Sequence, residues 1–225
     1  MADEIAVRSE YHDNVRADVI PHVPKCAGTL VDIGGGIGAT AAELKRLGVA
    51  ERVGVVDLVE PEKALPEVDF AHAGNLDDEQ FVESVVGADG PFAAILCLDI
   101  LEHLVDPWQL VRRLHAGLAP DGVIVASIPN VRNFRALFPL LFLNRWTLTD
   151  DGILDRTHLR FFVRRTAIEL MTGTGLVLEK VVASPTDHRL IRLFRRLTFG
   201  LFNTFTDRSY IVIVRRPGEA DLPTR

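Results

Sequence analysis

Residues 29–44, TLVDIGGGIGATAAEL, constrain the fold of this chain more than any other stretch. Leu30, Val31 and Ile33 read as a short buried strand, with Asp32 set among them. Gly34, Gly35, Gly36 and Gly38 follow at once, and then a helix-favouring run over residues 39–47. Glycines let the main chain pass close to a ligand, and the start of a helix offers free N–H groups. A second acid, Asp57, ends the next apolar strand (52–56), about where a carboxylate that binds ribose hydroxyls belongs.

Taken alone, the loop suits two cofactors. Gly34-x-Gly36-x-x-Ala39 satisfies the dinucleotide fingerprint, which allows alanine in its last position. Gly34-x-Gly36-x-Gly38 satisfies the tighter glycine pattern of S-adenosylmethionine enzymes. Residues further down the chain must separate the two.

Those residues alternate strand and helix, the pattern of a parallel sheet covered on both faces. After strands at 29–33 and 52–56 come a short helix near 61–65, a weaker strand at 69–72 and a helix around 78–86. The fully apolar run 92–98, FAAILCL, has the composition of a central strand. A helix at 107–118, a Pro120-Asp121-Gly122 turn and a strand at 123–128 follow, stopped by Pro129-Asn130. Upstream, residues 9–23 read as a leading helix that carries Tyr11 and Arg16. Past Asn130 the rhythm changes to an apolar bent helix (134–146, interrupted by Pro139), a polar loop through Asp150, Asp151, Asp155 and Arg156, and a helix at 166–172. Strands at 176–182 and 210–214 close the chain, separated by a basic apolar run at 189–205. The expectation is a single domain over 1–225, with insertions covering the substrate at about 131–162 and 184–208.

With a net charge of −6, the chain lacks the basic face that phosphate backbones need, so no nucleic-acid partner is expected. Cys26 and Cys97 share no metal-like spacing and form no disulfide framework, which with the acidic, non-apolar start of the chain points to the cytoplasm. No stretch approaches the ~20 apolar residues of a membrane span.

Four segments together resemble the class I S-adenosylmethionine-dependent methyltransferases. VDIGGGIG is similar to their glycine loop, and VVDLVEPE to their acid-ended second strand. ILCLDILEHLVDP resembles their fourth strand and the loop after it, and GLAPDGVIVASIPN their fifth strand. Residues 152–162, GILDRTHLRFF, resemble a bacterial subset linked to glycan or small-molecule O-methylation. The resemblance implies an α/β, Rossmann-like, doubly wound sheet of seven mainly parallel strands whose last strand is antiparallel. It also implies S-adenosylmethionine as cofactor, and roles for particular residues. Gly34, Gly36 and Gly38, with Asp32 beside them, would approach the methionine part, and Asp57 would accept the ribose hydroxyls. Leu58 would pack on the adenine, Asn75 and Leu76 would meet its edge, and Leu98 with Asp99 would line the methionine end. Tyr11 and Arg16 either lie on the surface or fold back over the ligand's carboxylate.

Methyl transfer to oxygen gains from a base near the acceptor's proton. His103, just after the fourth strand, and His158, in the polar loop with Asp155 three residues before it, are the candidates. No metal is expected. The basic apolar run 189–205 is either an amphipathic helix covering the sheet or an interfacial helix at a membrane surface. The expected activity is O-methylation of a hydroxyl on a sugar, glycan precursor or other small molecule. The competing readings are a nicotinamide-dependent oxidoreductase and a non-catalytic module on the same fold.

Overall fold

The computed structural model describes residues 14–185 and 189–218. Seven strands form one sheet: β1 (Thr29–Ile33), β2 (Arg52–Asp57), β3 (Phe70–Ala73), β4 (Phe92–Leu98), β5 (Leu118–Pro129), β6 (Val177–Pro185) and β7 (Asp207–Arg215). Their order is β3-β2-β1-β4-β5-β7-β6. Every pairing from β3 to β5 is parallel, and β7 lies antiparallel between β5 and β6. The expected doubly wound sheet with an antiparallel last strand is therefore observed. Strand order reverses between β1 and β4, and the crevice in which such sheets bind ligands lies outside the strands' carboxyl ends at that point.

Helices cover both faces. On one face lies α1 (Ala39–Arg46), whose buried Ala39, Thr40, Ala41 and Ala42 are small enough to bring its backbone close to the strands. Leu44 joins Leu30, Val53, Leu96 and Val125 in the core beneath it. On the other face lie α2 (Glu79–Asp89), α3 (Pro107–Ala116) and α5 (Arg164–Thr172), with α4 (Phe134–Leu143) and α6 (Arg189–Leu197) in the late excursions. Asp78 caps α2 by accepting the Gln80 and Phe81 N–H groups, and Asp106 caps α3 through the Gln109 N–H. Val82, Val85, Leu110, Leu114 and Leu170 fill the core between these helices and Ile95, Ile124 and Val212 of the sheet.

The fit is tightest over β2. A Cβ on Gly54 would sit 2.0 Å from the Phe70 ring, which is itself capped by the Arg52 guanidinium at 4.3 Å. Gly54→Ala is accordingly expected to destabilise the protein by about 1–3 kcal/mol, read as a lowered thermal midpoint.

Two expectations need correction. Among the described residues, 14–23 form a turn and a single 3₁₀ turn (Ile20–His22), not a helix; Pro21 and Pro24 leave too few N–H groups to sustain one. The helix expected near 61–65 is likewise only a 3₁₀ turn, Pro61–Lys63. Tyr11 lies outside the described residues. The apolar run from residue 134 forms α4 through Pro139 and ends at Asn144, which takes the left-handed conformation at φ 50°. No described helix is long and apolar enough to cross a membrane.

Candidate active site

The crevice is built from the ends of β1, β2 and β4. Gly34, Gly36 and Gly38 take φ of 76°, 58° and 83°, where side chains are rarely tolerated. A Cβ on Gly34 would fall 2.5 Å from Ile100, and one on Gly38 2.6 Å from Val68. At the end of β2, Asp57 accepts the Gly36 N–H at 2.8 Å and the Val59 N–H at 3.1 Å, so acid and glycine loop hold each other in register. Asp32 is 2 % exposed, and its Oδ1 has no hydrogen-bond partner. Burial, with the charge of Asp57 added, raises its carboxyl to about 7, against a smaller opposing pull from Arg16.

At the end of β4, Asp99 has φ 53°, in the left-handed region. Its Oδ1 accepts the Ser127 hydroxyl at 2.7 Å and its Oδ2 is paired with Arg16. Arg16 also bonds Ser127 at 3.1 Å and Asp18 at 2.9 Å, and its main-chain N–H donates to Thr40 on α1 at 3.1 Å. The segment before β1 is thereby clamped across the crevice, with the guanidinium at the end expected to receive the ligand's carboxylate.

Three of the expected adenine contacts sit differently from one another. Leu58 stands out at 77 % exposure beside Asp57. Asn75 Oδ1 accepts the Asp77 N–H at 3.0 Å, which occupies one of its lone pairs. Leu76 turns its side chain into the core with Ile33, Val56 and Val82, leaving only its main chain to meet a ligand. Leu98 is partly buried against the α1-face core.

Beyond Asp99 the chain brings together residues far apart in sequence. Glu102 is 1 % exposed with neither carboxylate oxygen hydrogen-bonded, while its carbonyl accepts the Leu159 and Arg160 N–H groups at 2.8 and 3.0 Å. Burial first, then the charge of Asp99, raises its carboxyl well above the ordinary range. His158 Nε2 lies 3.9 Å from Glu102, and His158 Nδ1 meets the Ile153 carbonyl at 3.1 Å. His103 packs edge-on to His158 with centroids 4.6 Å apart, and its Nδ1 is 3.0 Å from Thr157 Oγ1. The Thr157 hydroxyl donates to Asp155 at 2.6 Å, so toward His103 its oxygen can only accept. His103 Nδ1 must then carry the hydrogen, which leaves Nε2 with its lone pair. Burial, then the neighbouring His158, holds the His103 pKa below its ordinary value.

Asp155 therefore orients His103 through Thr157, not His158 as the sequence spacing suggests. Glu102, Thr157 and Ser127 were missing from the expected site residues. The Leu-Glu-His segment could have drawn attention to Glu102, but no sequence signal marks the other two. Glu102, His103 and His158 each offer a ligand atom within 4.8 Å of the others, a set able to hold a divalent cation.

The crevice carries three acids, Asp32, Asp57 and Asp99, the last already paired with Arg16. It fits a ligand that is cationic at one end and bears a diol, as S-adenosylmethionine is. Fold and crevice together define a class I S-adenosylmethionine-dependent methyltransferase domain. The chain belongs to the methyltransferase domain family, which matches residues 7–181. It is 29 % identical over 164 residues to a ubiquinone biosynthesis O-methyltransferase of Methylobacterium nodulans, covering 69 % of this chain and 65 % of that protein. A Methylobacterium sp. protein of the same name is 33 % identical over 158 residues, covering 66 % and 63 %. The chain thus spans just under two thirds of the length of these relatives. A solved S-adenosylmethionine-dependent methyltransferase from Archaeoglobus fulgidus shares the fold at a TM-score of 0.60 and 17 % identity, covering 95 % and 94 % of the two chains.

Proposed function

We propose that this protein transfers a methyl group from S-adenosylmethionine to a hydroxyl of a small molecule, with His103 as the base. One observation carries the reading: the Asp155–Thr157–His103 relay leaves a bare imidazole Nε2 just past the carboxyl end of β4, beside the donor crevice. S-adenosylmethionine supplies a methyl already bonded to a good leaving group, so the protein's part is alignment, exclusion of water and removal of one proton. His103 takes the acceptor's hydroxyl proton. Asp155, through Thr157, fixes the tautomer that can receive it. His158 and the buried Glu102 beside it brace the His103 ring by packing. Arg16 and the glycine loop hold the donor's amino-acid end, and Asp57 holds its ribose.

Relatives named for O-methylation in ubiquinone biosynthesis support oxygen as the acceptor atom. The sugar or glycan precursor expected from residues 152–162 rests on that segment's resemblance alone. Incubation with labelled S-adenosylmethionine and separate panels of phenols and sugar nucleotides tests both; label transferred to neither, with donor bound, would overturn the O-methyltransferase reading. A second reading of the same cluster is a divalent cation on Glu102, His103 and His158, favoured by the two unpartnered oxygens of Glu102. Loss of turnover in EDTA, restored by added metal, would favour it over a metal-free base.

Asp57→Ala is expected to weaken S-adenosylhomocysteine binding by at least about tenfold. A carboxylate accepting two hydroxyls contributes roughly 1.5–3 kcal/mol, and here it also anchors the Gly36 amide. Isothermal calorimetry reads this directly, and unchanged affinity would remove Asp57 from the site.

A further inference from the structure

The apolar side of α4 has no partner within the described residues. Of its ten residues only Ala136 is buried, while Phe134, Phe138, Leu140, Leu141, Phe142 and Leu143 are exposed, Leu141 and Phe142 by 67 % and 71 %. Phe134, Phe138 and Phe142 stack in a row with centroids 5.1 and 5.0 Å apart. The stretch around α6 repeats the pattern, with Leu193, Leu197, Phe199 and Leu201 exposed. The reading of residues 189–205 as a cover for the sheet does not hold for these side chains.

The two stretches meet at their roots. Arg132, just before α4, lies over the Phe205 ring at 4.5 Å, and Asn130 and Asn133 donate to the Thr204 and Asp207 carbonyls. A groove of about 490 Å³ lies between these roots and the first turn of α5, lined by Arg132, Arg164 and Arg165, the last donating to Glu169 at 2.8 Å. Charge is distributed unevenly to match. Residues 131–149 and 189–206 contain seven arginines and no acid, in a chain whose net charge is −6. Arg195 is already paired with Asp207 at 2.6 Å; exposed apolar side chains set among the other arginines are complementary to a surface that is apolar inside and anionic outside.

We propose that α4 and α6 dock this protein on a bilayer that contains anionic phospholipid, with the Phe row of α4 and the leucines of α6 entering the interface and the arginines meeting headgroup phosphates. The docked face communicates with the site. The loop after α4 returns through Trp146, whose ring meets Phe161 at 5.4 Å, and Phe161 in turn faces His158 at 6.3 Å. Seen with the proposed activity, an acceptor with an apolar tail could then reach His103 without leaving the bilayer; the docking itself does not depend on that activity.

Vesicle co-sedimentation of the full chain tests the docking. It should sediment with vesicles of equal parts phosphatidylcholine and phosphatidylglycerol, far less with phosphatidylcholine alone, and less again as salt is raised. Phe138→Asp with Phe142→Asp, and separately Leu197→Asp with Leu201→Asp, should each weaken that binding by about tenfold or more. No sedimentation with the mixed vesicles, or sedimentation that both pairs leave intact, would overturn the docking. So would a dimer in gel filtration that the Phe pair dissolves, because the face would then belong to a second copy. S-adenosylhomocysteine affinity, measured on every variant, reports folding. It also separates the two proposals: vesicle binding can fail while ligand binding stands, or the reverse.

Discussion

His103→Ala should lower turnover by roughly 10²–10⁴-fold while S-adenosylhomocysteine affinity stays within about twofold. The split follows from the proposed roles: His103 Nε2 would take the acceptor's proton, whereas the glycine loop, Asp57 and Arg16 would hold the donor. The pH profile adds a second readout. Burial and His158 keep the His103 pKa below its usual 6.5, so the base is already neutral at pH 7. Turnover should rise with pH only on an acidic limb below about 6.5 and then level off. Thr157→Val should lower turnover by removing the acceptor that fixes the tautomer, and should leave donor affinity alone. An alanine variant with full turnover and an unchanged acidic limb would assign His103 to packing.

Asp32→Asn should stabilise the ligand-free protein at pH 8 by on the order of 4 kcal/mol and change little at pH 4. The folded carboxyl, raised to about 7 from an ordinary 3.8, keeps a proton that the unfolded chain gives up. Its contribution to stability is therefore fully present below pH 4 and is lost as pH rises toward 7. Asparagine removes the dependence, so wild type and variant should converge in acid and separate in base when melted across that range. With S-adenosylmethionine bound as proposed, a sulfonium and an ammonium near Asp32 would pull its pKa down again. S-adenosylmethionine binding at pH 6 should then release a proton in the wild type and not in Asp32→Asn, as calorimetry in buffers of different ionisation enthalpy would record. Equal proton release in both proteins would place Asp32 outside the donor's field.

The parts of the molecule legible in the sequence are those written in local rules. Apolar runs placed β1 to β4 within a residue, because the parallel strands β1, β2 and β4 are buried on both sides and must be apolar throughout. By contrast β5 begins five residues before the expected 123, with Pro120-Asp121-Gly122 inside it, β6 runs three residues past 182 and β7 begins three before 210. Gly34, Gly36 and Gly38 announced the loop, since only glycine takes those φ values without strain, and Asp57 followed from its place at a strand's end. The segment over residues 14–23 misled because its helical pattern carries prolines whose effect outweighs apolar spacing. The base assembly was only half visible. His103 and His158 stood out as histidines, but Glu102 and Leu159 meet across 57 positions of sequence, and the route from Asp155 to His103 runs through a threonine hydroxyl that no motif marks. Leu76 was assigned to the adenine by position, yet its side chain had a better place in the core.

The placement of β7 has a bearing on how the molecule is completed. It follows β6 in the chain but sits between β5 and β6, so β6 has no neighbour in the sheet until β7 arrives. The two must join as one late hairpin, whereas the glycine loop, Asp57, Asp99 and His103 all belong to the earlier half. Hydrogen exchange would then resolve two cooperative units, and opening of the hairpin would leave the donor crevice standing.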